Sequence, residues 1–152
     1  MLYIIEMLED DKNVEVDKVN AEFYHAFESL SIERMERLWK HDENIACIHP
    51  GWDLFIGWLA IRESWITIFA NTEMIKFTIT NPKIRIFDNN KIAVVVCLEN
   101  IETTAADRRP IKIGIIATNI FERNEQLNQW LLIHHHGSPV TNYIPPNISS
   151  QQ

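Results

Sequence analysis

The hydrophobic pattern of this chain changes period once, and that change decides the architecture. Over residues 16–69 apolar side chains recur at helical spacing. Over residues 74–136 they alternate or run together in β-branched blocks. Val16, Val19, Asn20, Phe23, Tyr24, Phe27 and Leu30 mark a first helix. Ser31 is placed to cap a short second helix through Ile32, Met35, Leu38 and Trp39. Residues 45–49 read as a short strand stopped by Pro50-Gly51. From Gly57 a third helix carries apolar residues on at least two sides, including Trp58, Ile61, Trp65 and Ile68, so it is expected to be largely buried.

The strands follow. Residues 74–79 alternate, and residues 84–87 resume the pattern beyond Asn81-Pro82, which predicts a bend or bulge within one long strand. Asp88-Asn89-Asn90 is a hairpin turn. Residues 92–104 are continuous and β-branched, the pattern of a strand covered on both faces. Residues 111–121 and 129–136 supply the last two strands. Helices first and strands later mean an α+β fold: a strongly curved, antiparallel, cone-like sheet with about three helices on its concave face.

One domain is expected from 152 residues. Residues 1–14 read as an acidic N-terminal extension, 15–139 as the domain, and 140–152 as a polar C-terminal tail. A net charge of −7 argues against nucleic acid, because phosphate binding needs clustered Lys and Arg. No stretch has the length of a membrane span, and the N-terminus lacks the basic segment of a secretion signal. Cys47 and Cys97 both sit in apolar runs and fit reduced core thiols in a cytoplasmic protein, with a single disulfide between them left open.

Four of the five tryptophans fall within residues 39–65, beside His41 and His49. Indole and imidazole rings suit the wall of an apolar pocket with a few polar groups. His49 sits where a strand ends, near the expected pocket mouth. Trp52 and Trp65 are favoured as walls, and Trp39 is either wall or core. In the last strand, strict alternation puts His134 and His136 on one face with Trp130 and Leu132, and His135 on the other. Either set could see the pocket. A metal site would need a third ligand from His49 or Glu99, and no other spacing supports one, so no cofactor is expected. Glu99 interrupts an apolar strand, where an ionised carboxylate is costly unless paired. It is the candidate general base, the alternative being a structural ion pair. Asp53 is a second acid, better explained as a turn residue.

The helix–strand order resembles the SnoaL-like, or ketosteroid isomerase-like and nuclear transport factor two-like, superfamily. Phe23-Tyr24-x-Ala26-Phe27, Trp39, His49-Pro50-Gly51-Trp52, Gly57-Trp58 and Ser64-Trp65 carry the likeness, with residues 117–121 and 130–139 completing it. The resemblance implies a pocket between sheet and helices; the candidate lining residues are Tyr24, Trp39, His49, Trp52, Trp65, Asn119, His134, His135 and His136. It also implies a homodimer through the outer sheet face and a small apolar ligand handled by isomerase, cyclase or dehydratase chemistry. A non-catalytic homodimeric interaction module is the alternative. Isomerases of this fold complete an oxyanion hole with a Tyr and a neutral Asp. Tyr24 stands for the hydroxyl here, and residues 115–119 offer no carboxyl.

Overall fold

Residues 1–147 are described by the structure, a computed structural model. Helices α1 (Leu2–Ser29) and α2 (Ile32–Glu36) are followed by short strands β1 (Ala46–Ile48) and β2 (Phe55–Ile56) and by helix α3 (Trp58–Ala70). Four long strands come next: β3 (Ile75–Phe87), β4 (Ile92–Thr104), β5 (Pro110–Asn124) and β6 (Gln129–Pro139). All six strands form one open sheet in the order β2-β1-β6-β5-β4-β3, so the α+β expectation holds.

The four long strands pair antiparallel, as expected. The sheet is nevertheless mixed, because β1 runs parallel to β6 with Cys47 opposite His135. Strand β1 has three residues and finds its partner nearly ninety positions away, so no local turn signal could set its direction.

Chain chemistry sets the element ends. Leu30 closes α1 in the left-handed region at φ 55°, donating its N–H to the Phe27 carbonyl. Ser31 then caps α2, its hydroxyl oxygen accepting from the Arg34 N–H at 3.3 Å. Helix α1 runs unbroken through the boundary drawn at residue 14. What changes there is burial: Val16 is enclosed, whereas Leu2, Tyr3, Ile4 and Leu8 are exposed.

Two bulges set which side chains face inward. The first is the one expected at Asn81-Pro82, where the β3–β4 register shifts between Thr80 and Lys83 and Asn81 takes φ 53°. Phe77 and Ile79 face the core before it, and Ile84 and Ile86 after it. The second was not foreseen. Ile120 lies opposite His134 but Phe121 opposite Leu132, leaving Ile133 as an extra residue in β6.

Ala93, Val95, Cys97 and Glu99 of β4, Ala117, Asn119 and Phe121 of β5, and Leu132 and His135 of β6 are all buried. Phe23 and Tyr24 of α1 and Ile61 and Trp65 of α3 join the same core. Burying each such ring is worth roughly 1.5–3 kcal/mol. Residues 140–147, the start of the polar C-terminal tail, lie against the outer sheet face. The Val140 N–H donates to the Gly114 carbonyl at 2.9 Å, and the Tyr143 ring lies where a Cβ on Gly114 would be. The Tyr143 hydroxyl donates to Asn100 Oδ1 at 2.6 Å. The rest of that tail, residues 148–152, lies outside the described residues.

Candidate functional site

Helical spacing puts Asn20 and Tyr24, four residues apart, on the same face of α1. The period of two puts Cys97 and Glu99 on the inner face of β4, and the β5–β6 register sets Asn119 beside His135. All six side chains are buried, and together they form one polar network inside an apolar core.

The bonds of this network fix its polarity. The Asn119 amide donates from Nδ2 to Asn20 Oδ1 at 2.9 Å and to the Tyr24 hydroxyl oxygen at 3.0 Å. The Tyr24 hydroxyl has one proton and donates it to Glu99 Oε2 at 2.6 Å. Cys97 Sγ, 3.5 Å from that oxygen, is left to act as donor. Asn119 Oδ1 must then accept, so His135 donates from Nδ1 at 2.5 Å and is the neutral Nδ1–H tautomer. Donors lead in sequence from His135 through Asn119 and Tyr24 to the carboxylate.

Burial shifts the titrations as physics requires. Desolvation raises the Glu99 carboxyl to about 7, with the Tyr24 hydrogen bond opposing it. Tyr24 is pushed well up by burial and by the neighbouring Glu99, and so stays a hydroxyl. Burial pushes His135 well below its usual value and keeps it neutral. At neutral pH the one group here poised to take or give a proton is Glu99.

A second polar cluster adjoins the first. Ser64 donates to the Ile61 carbonyl at 2.6 Å, so its oxygen accepts from His49 Nε2–H at 2.8 Å. Desolvation lowers His49 to about 4. Trp65 lies between the two histidines, its ring 4.6 Å from His49 and 6.1 Å from His135. The Nε1–H groups of Trp65 and Trp39 are buried and have no hydrogen-bond partner. Each unpaired donor costs about 1–3 kcal/mol.

The sequence-proposed residues separate into three groups. Glu99, Tyr24, Asn119 and His135 are in direct hydrogen-bonded sequence, and His49, Trp39 and Trp65 stand beside them. Trp52 is 41% exposed and touches His49 and Phe55 at the rim, so it is no interior wall. His134 and His136 pair with Ile120 and Thr118 on the outer face, away from Glu99. The Ile133 bulge is the reason: it puts His135 on the face of Leu132, which strict alternation had assigned to His134 and His136. Asn20, Cys97 and Ser64 were not proposed as site residues. Asn20 carried a signal, as an amide within an apolar helical stripe.

The interior is closed by rings. Phe23, Phe27 and Trp65 meet edge to face, with centroids 4.9–6.4 Å apart. A surface cavity of about 760 Å³ lies apart from the network, between the turn at residues 41–44 and the start of α3. Among the described residues, no three His, Cys, Asp or Glu gather closely enough to hold a metal ion, and no helix is long and apolar enough to cross a membrane.

Comparison with known proteins agrees with this fold. A candidate dehydratase of the NTF2-like family from Streptomyces avermitilis has 30% identity and a TM-score of 0.78, over 86% of this chain and 97% of that one. A candidate calcium/calmodulin-dependent protein kinase type II association domain from Thiobacillus denitrificans has 25% identity and a TM-score of 0.69, over 82% of this chain and 94% of that one. The F-box protein SKIP8 of Arabidopsis thaliana is 28% identical over 120 residues, which are 79% of this chain and 47% of that protein; the chain thus spans about half the length of this curated relative. The SnoaL-like domain family matches residues 16–142, and with that match and the open six-stranded sheet, the chain belongs to the SnoaL-like domain family of the NTF2-like superfamily.

Proposed function

We propose that the protein binds a small, largely apolar molecule inside the cone and that Glu99 acts there as general acid or base. One observation carries this reading: a carboxyl raised to about 7 by burial, held by the Tyr24 hydroxyl at 2.6 Å. A carboxyl poised near neutral pH is matched to proton transfer. The two unpartnered indole donors favour a ligand with an acceptor oxygen, such as a carbonyl. In this scheme a proton leaves a carbon next to that carbonyl for Glu99, and the charge that develops on the oxygen is met by an N–H donor. The candidate dehydratase from Streptomyces avermitilis lends support at the level of the family. Both thiols are free and buried, which supports a reducing, cytoplasmic setting.

Titrating a panel of apolar carbonyl compounds while following tryptophan fluorescence tests the proposal. A saturable change is expected, and Glu99→Gln retains binding but loses any turnover of the bound compound. If no compound in the panel binds, the proposal fails.

A second reading rests on a different observation. Ring packing closes the cone, while Ile116 on the outer face is 44% exposed among partly buried Val94, Val96, Leu98 and Ile120. That face suits a homodimeric interaction module, and the similarity to an association domain fits it. Sedimentation of the wild type and Ile116→Lys decides: a dimer disrupted by the lysine supports the module, and a monomer at micromolar concentration ends it.

A further inference from the structure

Contacts between rings lead without a gap from the surface cavity to the buried network. His41 stacks on Trp58 at 4.5 Å with an interplanar angle of 7°. Trp58 lies 6.3 Å from Trp39, and Trp39 lies 6.5 Å from Trp65. Trp65 touches His49 and His135, which begins the hydrogen-bonded sequence ending at Glu99. Exposure falls along this line, from exposed His41 to Trp58 at 9% and Trp65 at 0%.

The frame of the cavity and its cover are held differently. Trp58 N–H donates to the Asp42 carbonyl at 2.9 Å and Gly57 N–H to the Ile45 carbonyl at 2.8 Å, which pins the start of α3 to the preceding turn. Gly57 takes φ +86°, a conformation that costs glycine little. The cover itself is made of side chains. The imidazole of His41 is parked by one bond, from its Nε2–H to the Glu36 carbonyl at 2.8 Å. Trp58 lines the cavity with Ile56 and Leu59, both more than half exposed. Side chains on a pinned backbone can rotate without moving the fold.

The unpartnered donors lie on the same line. Trp39 and Trp65 are the described residues with buried, unsatisfied side-chain nitrogens, and they are the two links between Trp58 and the histidines. A smaller cavity is lined in part by Trp130, whose Nε1–H is already bonded to Glu15 and whose ring is covered by Arg123.

We infer that the cavity between the 41–44 turn and α3 is the vestibule of the buried site, through which an apolar, acceptor-bearing molecule passes when the His41–Trp58 stack swings aside. This rests on the proposed ligand reading and adds the route and its cover. Trp39 and Trp65 supply donors to the passing acceptor, and Leu59 and Ile56 give its apolar body a first contact. Trp58 and His41 act on access and have no part in proton transfer.

The two interior thiols report access without any knowledge of the ligand. Cys47 and Cys97 are both free and buried, Cys47 beside His49 and opposite His135, Cys97 beside the Tyr24 hydroxyl. Methylmercury chloride, small and apolar, is added to the intact protein, and mercuration of each cysteine is timed by mass spectrometry. Trp58→Ala is expected to speed both by about 10-fold or more, as loss of a local closure should. His41→Ala removes an exposed ring, leaves the fold intact and speeds them less. Leu59→Trp narrows the vestibule and slows them. Unchanged rates in His41→Ala and Leu59→Trp would overturn the inference. So would a Trp58→Ala acceleration equal to its rise in global unfolding, measured by hydrogen exchange of β4 amides. Should the rates refute the vestibule while carbonyl compounds still bind the interior, the route is wrong and the buried site stands.

Discussion

Tyr24 reaches across from α1 to β4 and donates a 2.6 Å hydrogen bond to Glu99. Seventy-five residues separate the two in sequence, and both are almost fully buried. The bond meets the one strong acceptor on the inner face of β4 with a donor that is itself supported by Asn119. It also lowers a carboxyl that burial would otherwise raise further.

Tyr24→Phe should therefore move the Glu99 midpoint above about 7, since the opposing hydrogen bond is gone while desolvation remains. The cost in stability should be about 1 kcal/mol at pH 5, where the carboxyl is protonated. At pH 8 it should be about 2–3 kcal/mol, where an ionised carboxylate loses its donor. Denaturant unfolding at the two pH values checks the difference.

Glu99→Gln isolates the linkage. The folded carboxyl titrates at about 7, against roughly 4.3 when unfolded. Between those values the folded state binds more protons, so this group's contribution to stability is full below about pH 4.3 and is lost as pH rises through 7. Gln does not titrate. The variant should gain on the wild type with rising pH, by about 3 kcal/mol in all between pH 4 and 8. Stability curves for both proteins across that range provide the measurement.

His49 works in the opposite direction. Its folded value of about 4 lies below the roughly 6.5 of an unfolded histidine. The unfolded state binds more protons between these values, so stability contributed by the neutral ring is full above pH 6.5 and lost as pH falls toward 4. His49→Gln should flatten acid destabilisation over that window. Ser64→Ala, which removes the acceptor of its Nε2–H, should cost about 1–2 kcal/mol at pH 7.

Gly114→Ala would place a Cβ 2.1 Å from the Tyr143 ring, so the ring must leave its notch. Loss of the Tyr143–Asn100 bond and of the packing should cost about 1–2 kcal/mol. In a Tyr143→Ala background the same substitution should cost almost nothing, a coupling that a double-mutant cycle reads directly. Protease cleavage within residues 140–147 should rise in either single variant.

The sequence made much of the fold readable because local rules governed it. Ser31 capping, the Asn81-Pro82 bulge and the three-Asn/Asp turn at residues 88–90 are all short-range chemistry. The parallel β1–β6 pairing is not, and neither is the bulge at Ile133, which no Gly, Pro or Asn announces. That one extra residue decided which of three consecutive histidines faces Glu99, so the site was legible as residue types and not as a face. Trp52 was misread as a wall because aromatic character says nothing of depth: it follows Gly51, whose φ of +80° belongs to the turn at the rim. Asn20 was visible in the helical stripe, but its role depended on Asn119, ninety-nine residues away.

Glu99 is the group raised toward neutrality inside the cone. Carboxyl-selective ¹³C NMR of glutamate-labelled protein, titrated from pH 3 to 9, observes it directly. One resonance with a midpoint of about 7, absent in Glu99→Gln, is the expected result. Assignment of Glu99 to a midpoint of roughly 4–5, the ordinary range of a solvated glutamate, would contradict it.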